Sequence, residues 1–125
     1  MILVDTTVWI DHLRDNDPHL AGLLDAGAVL GHPWVTGELA LGSLHNRVEI
    51  LRLLDDLPHA TIATATEVRE LVEQHKLFGL GIGYVDAQLL AATMLTPDAD
   101  LWTRDQRLYA AAQRLGVSYA PQTDG

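Results

Sequence analysis

Ile2-Leu3-Val4 is fully apolar and stops at an acid, Asp5; two further short runs are comparable, Ala28-Val29-Leu30 closed by Gly31 and Leu101-Trp102-Thr103 two residues before Asp105. Runs this short, apolar at consecutive positions rather than alternating, are what a strand buried on both faces requires. The segments between them carry apolar residues at helical spacing. Val8, Trp9, Ile10 and Leu13 fit a helix after Asp5 or Thr6 as N-cap, and Pro18 at N1 opens a second through Leu20, Leu23 and Leu24 to Ala26, stopped by Gly27. A helical segment is expected over 34–44, an amphipathic helix over 48–57 and a short strand over 60–63. The capping box Thr64-Ala65-Thr66-Glu67 predicts a helix over 65–77. A glycine-punctuated loop over 78–83 leads to a helix over 84–95, the helix over 105–115 ends at Gly116, and 117–119 reads as a last strand. Strands alternating with helices give an α/β fold with a central, mostly parallel sheet of four to five short strands flanked by helices. One domain over 1–125 is expected, with 121–125 as a frayed tail.

In open α/β sheets ligands bind beyond the carboxyl ends of the strands. Asp5 stands directly after the first strand and Asp105 just after the strand 101–103, so both acids belong to one sheet edge. Glu38 lies in the helix after the second strand, and Asp86 in the first turn of the helix from Tyr84. Each has a plain structural explanation as well. Asp at a strand-to-helix junction is a favoured N-cap, Asp86 suits a helix N-terminus, and Glu38 could face solvent. Four carboxylates converging on one point would repel one another unless cations neutralised them, and an all-oxygen set selects Mg²⁺ or Mn²⁺. Such a site serves phosphodiester hydrolysis, where a cation acidifies the attacking water and a second stabilises the leaving oxygen.

The pattern becomes specific by resemblance. Val4-Asp5-Thr6-Thr7-Val8-Trp9-Ile10, Thr36-Gly37-Glu38-Leu39-Ala40-Leu41-Gly42, Gly83-Tyr84-Val85-Asp86-Ala87-Gln88-Leu89-Leu90-Ala91 and Leu101-Trp102-Thr103-Arg104-Asp105 resemble, in order, the four motifs of the PIN-domain family, in particular its VapC toxin branch. Two positions depart: Gln88 stands where relatives often have His, and Tyr84 where they often have Trp. The resemblance implies a PIN-like fold and Mg²⁺- or Mn²⁺-dependent endoribonuclease activity. Asp5 and Asp105 would hold the principal metal, completed by Asp86 and Glu38. It also implies a cognate antitoxin whose C-terminal segment blocks the cleft, usually a homodimer, and Thr6 or Thr103 positioning a water or phosphate. Arg14, Arg104 and Arg107 are candidate RNA contacts because they flank Asp5 and Asp105 in sequence.

The net charge of −9, with eight Lys and Arg against seventeen Asp and Glu, counts against a polyanionic partner. Absence of cysteine excludes disulfides and thiolate metal sites and agrees with a reducing cytoplasm. No signal peptide or membrane-spanning run is expected. The six histidines form no ligand-spaced pair and are expected at the surface, while Trp9, Trp34 and Trp102 are expected in the core or a dimer interface. Two rival readings remain. A small phosphatase could use Asp5 as nucleophile, since Asp-x-x-Val after a strand is faintly similar to the haloacid dehalogenase motif, but Thr7 stands where that motif needs a second Asp. A PIN-like module that binds without turnover is the other.

Overall fold

The computed structural model describes residues 1–121. Three strands form a parallel sheet in the order β2-β1-β3: β1 (Ile2–Val4), β2 (Val29–Leu30) and β3 (Asp100–Trp102). The first strand in sequence is therefore the central one, and Leu3 and Val4 have no exposed surface. Its register sets Leu3 beside Leu30 on one flank and beside Leu101 on the other, with Val4 opposite Trp102. Seven helices complete the described chain: α1 (Thr6–Asp15), α2 (Pro18–Asp25), α3 (Pro33–Ala40), α4 (Arg47–Asp56), α5 (Ala65–His75), α6 (Tyr84–Leu95) and α7 (Gln106–Arg114). They bury Leu20, Leu39, Leu54, Leu89, Leu90 and Leu108 against the sheet residues in one core. None of these helices is long and apolar enough to cross a membrane.

Local chemistry explains most boundaries. Asp17 caps α2 by accepting from the amides of His19 and Leu20, Pro18 occupies the first turn, and Gly27 (φ 66°) takes the left-handed position after it. Thr64 and Glu67 exchange both bonds of the capping box at α5, which ends at left-handed Lys76 rather than at residue 77. Helix α3 stops at Ala40, short of the expected residue 44. Its last turn tightens through Leu41 N–H to the Glu38 carbonyl and Gly42 N–H to the Leu39 carbonyl. The strand β3 begins one residue earlier than expected, which leaves Thr103 just beyond its end.

The sheet has three strands, not the expected four to five, and both missing edges have a physical reason. At one edge the chain pairs only at Gly31 and His59, after which the Thr61 amide donates to the Thr96 hydroxyl (2.9 Å) instead of extending a ladder. At the other, Ser118 makes a single bridge to Leu101, flanked by bonds between Leu101 and Val117 and between Tyr119 and Leu101. Pro121 then removes the next donor. From residue 122 onward the expected tail lies outside the described residues.

Candidate active site

Asp5 leaves β1 at the carboxyl edge of the sheet and occupies the N-cap position of α1, yet its side chain makes no capping bond. Its carboxylate turns instead to two hydroxyls: Oδ2 accepts from Thr7 Oγ1 (2.8 Å) and from Thr103 Oγ1 (2.7 Å). Each hydroxyl is itself fixed by a backbone donor, Thr7 by the Arg104 amide (3.0 Å) and Thr103 by the Asp105 amide (3.1 Å). With the Asp5 amide bonded to the Trp102 carbonyl (2.9 Å), the turn after β1 and the turn after β3 form one clasp. Asp5 is only 4% exposed, so a bare carboxylate there depends on these bonds. The capping explanation of Asp5 is thereby displaced.

The other acids are held by a common device. Asp105 does cap α7, its Oδ1 accepting from the amides of Arg107 (2.9 Å) and Leu108 (3.0 Å). Asp86, third residue of α6, accepts from the Gly83 amide through Oδ2 (3.0 Å). Glu38, on α3, accepts from Thr6 Oγ1 through Oε1 (2.8 Å). Each of the four carboxylates thus has one oxygen anchored by the protein, and a second with no hydrogen bond among the described residues.

The electrostatics of Asp86 register the grouping. Burial pushes its carboxyl above the ordinary range; the Gly83 amide opposes this, and the charges of Asp5, Asp105 and Glu38 push it up further. The set consists of hard oxygen donors, which suits Mg²⁺ or Mn²⁺. Among the described residues no three His, Asp or Glu side chains stand close enough to ligate one ion directly as they are placed. The donor chemistry fits a divalent cation.

The remaining sequence candidates divide. Thr6 holds Glu38 and Thr103 holds Asp5, so both position carboxylates. Arg14 pairs with Asp11 and Asp15, and Arg104 reaches both Asp11 and Asp17 with its guanidinium 5.6 Å from the Trp102 ring centroid. Arg107 is exposed and has no carboxylate partner among the described residues. Thr7 was not singled out from sequence as a positioning residue; its signal was the second threonine of Asp5-Thr6-Thr7, read only as the absence of another acid. Gln88 and Tyr84, the two departures from the motif, bond to each other (3.1 Å) one turn apart.

Trp9 and Trp102 enter the core, while Trp34 is 40% exposed and packs edge-on to Tyr84. One placement corrects the sequence reading. His32 is completely buried rather than at the surface: its Nδ1 accepts from the Trp34 amide (3.1 Å) and caps α3, while Nε2 has no partner.

The PIN-domain family model matches residues 2–114. The chain is 48% identical over 122 residues to a protein called Ribonuclease VapC32 in two strains of Mycobacterium tuberculosis, CDC 1551 / Oshkosh and H37Rv, with 98% of each chain covered. No solved structure gives a significant match.

Proposed function

The chain belongs to the PIN-domain family, and from that premise we propose that it is a metal-dependent endoribonuclease, the toxin of a toxin–antitoxin pair. The observation that carries this reading is the anchoring of four carboxylates by one oxygen each, the other left available. Asp5, Asp86, Asp105 and Glu38 are the residues that would hold Mg²⁺ or Mn²⁺. Bound there, such a cation supplies Lewis acidity toward phosphate oxygens and acidifies a water.

The rest is the work of the chain. The hydroxyls of Thr7 and Thr103 keep Asp5 aimed, because both donate to its Oδ2. Asp105 and Asp86 approach from the N-termini of two helices, so backbone amides fix each carboxylate before any ligand arrives. Hydrolysis by an attacking water leaves a 5′-phosphate; a 2′,3′-cyclic phosphate would contradict the mechanism.

The antitoxin of this reading would seat in a groove beside α1 and α3. This groove of about 610 Å³, lined by Ile10, Leu13, Leu39, Leu44 and Ile50, runs up to Glu38, so an apolar segment seated there would lead toward the carboxylates. A homodimer and a cytoplasmic location belong to the same reading, as does a single domain for the chain.

Purified protein freed of any copurifying antitoxin should cleave a total-RNA pool containing tRNA and rRNA in Mg²⁺ or Mn²⁺. EDTA and Asp5→Asn should each abolish cleavage. Folded, metal-bound wild type that leaves the whole pool intact would point instead to a binding module.

A further inference from the structure

Of the three arginines that flank the acids in sequence, two have already spent their charge. Arg107 has not, and its placement depends on a glycine. Its backbone amide is one of the two donors to Asp105, so the side chain grows from the turn which that acid caps. The side chain then lies across the loop that precedes α6. A Cβ at Gly81 would sit 2.6 Å from Arg107 Nη1, too close to stand, and a tight 3.1 Å from Cδ and 3.2 Å from Cζ, so the guanidinium would have to move aside. Two residues later, Gly83 donates to Asp86. The guanidinium therefore bridges from the backbone that fixes Asp105 to the loop that delivers Asp86.

We propose that Arg107 binds a backbone phosphate of the RNA at the mouth of the site, and that Gly81 is the clearance that lets it lie there. This rests on the nuclease reading. A chain of net charge −9 must bring a polyanion to a cluster of acids. Arg14 and Arg104 are each held by two aspartates, whereas the Arg107 fork of donors is exposed and uncommitted among the described residues. A guanidinium suits a phosphodiester because its N–H groups match phosphate oxygens in pairs.

Gly79 supplies the control. Its φ is as positive as that of Gly81 (+74° against +76°), but a Cβ there would meet nothing within 4 Å. Gly79→Ala and Gly81→Ala therefore both place a side chain at positive φ, and only the second crowds the guanidinium.

The experiment follows cleavage of a single-stranded oligoribonucleotide by wild type, Arg107→Ala, Gly81→Ala, Gly79→Ala and the double variant Gly81→Ala/Arg107→Ala. Binding of the same fluorescein-labelled RNA is read by anisotropy with Mg²⁺ in an Asp5→Asn background. Arg107→Ala should raise KM and Kd about tenfold with kcat little changed, and lower the slope of log Kd against log salt by about 0.7. Gly81→Ala should shift both in the same direction by less, because the guanidinium ends a flexible side chain that can move aside, with the double variant no worse than Arg107→Ala and Gly79→Ala nearer to wild type than Gly81→Ala. Unchanged RNA affinity in Arg107→Ala overturns the proposal. So do multiplying effects in the double variant, or a Gly79→Ala as impaired as Gly81→Ala. Wild type that binds RNA through Arg107 but cleaves none would leave the phosphate site standing and refute the nuclease reading; wild type that neither binds nor cleaves refutes both.

Discussion

Lowering the pH should destabilise this protein through one buried imidazole. His32 has no exposed surface; burial, with the neighbouring His59 charge adding to it, depresses its pKa from 6.5 to about 4. Its Nδ1 accepts a hydrogen bond from the Trp34 amide, which fixes the neutral tautomer with the proton on Nε2. Above the unfolded value near 6.5 both states are neutral at this position, and stability is unaffected. As the pH falls below it, the unfolded chain takes up a proton that the native state refuses until the pH approaches 4. Stability is therefore lost between those two values and levels off beneath them. At about 1.4 kcal/mol for each pH unit, the full loss is about 3 kcal/mol. The sequence pI is about 4.8, so the measurement belongs above it. Between about pH 7.5 and 5.3 the expected loss is about 1.6 kcal/mol. Urea unfolding across that interval, with wild type beside His32→Asn, isolates the contribution, because Asn can still accept from the Trp34 amide and the other titrating groups cancel in the comparison. Parallel pH dependence in the two proteins would refute the argument, as would an NMR titration placing His32 near its ordinary value.

Three further outcomes are expected. Thr103→Val removes a buried hydroxyl donor to a carboxylate and should cost about 1.5–3 kcal/mol in chemical unfolding, with cleavage falling in step; Thr7→Val should move both in the same direction by less, since Thr7 is only half-buried. Arg104→Ala should change KM for RNA by less than about threefold, and its small stability loss should shrink as salt is raised, because its charge serves Asp11 and Asp17 at the surface. Thr64→Ala opens the capping box of α5 and should lower stability by about 1 kcal/mol without altering cleavage, since α5 contributes no carboxylate to the site.

The features legible from sequence were those governed by neighbours along the chain. Asp17-Pro18 and Gly27 bracket α2 by themselves, and Thr64 with Glu67 announces α5. Asp5, Asp86 and Asp105 stand at junctions that sequence can locate, the end of a strand or the first turn of a helix, whereas Glu38 lies within α3; the resemblance to four ordered family motifs, not those junctions, singled the four out. What escaped depends on partners far away. The segment 60–63 has strand composition, but whether it pairs is decided by the Thr96 hydroxyl thirty-five residues on. His32 looks like any scattered histidine until α3 begins over it. Arg14, Arg104 and Arg107 are equivalent as neighbours of acids; only the positions of Asp11, Asp17 and Gly81 in space distinguish them. Thr7 was hidden for the same reason, because its role is a clasp to β3.

That clasp also sets a clock on synthesis. The Asp5 carboxylate and the Thr103 hydroxyl that steadies it are 98 residues apart, and the strand that begins the sheet must wait for the strand that completes its other flank. At translation speeds of about 5–20 residues per second, that wait is roughly 5–20 s. Through all of it the growing polypeptide carries Asp5 without Thr103 or Asp105 beside it, so the clasp cannot close before that stretch is made. Stalled chains cut before Thr103 should cleave no RNA.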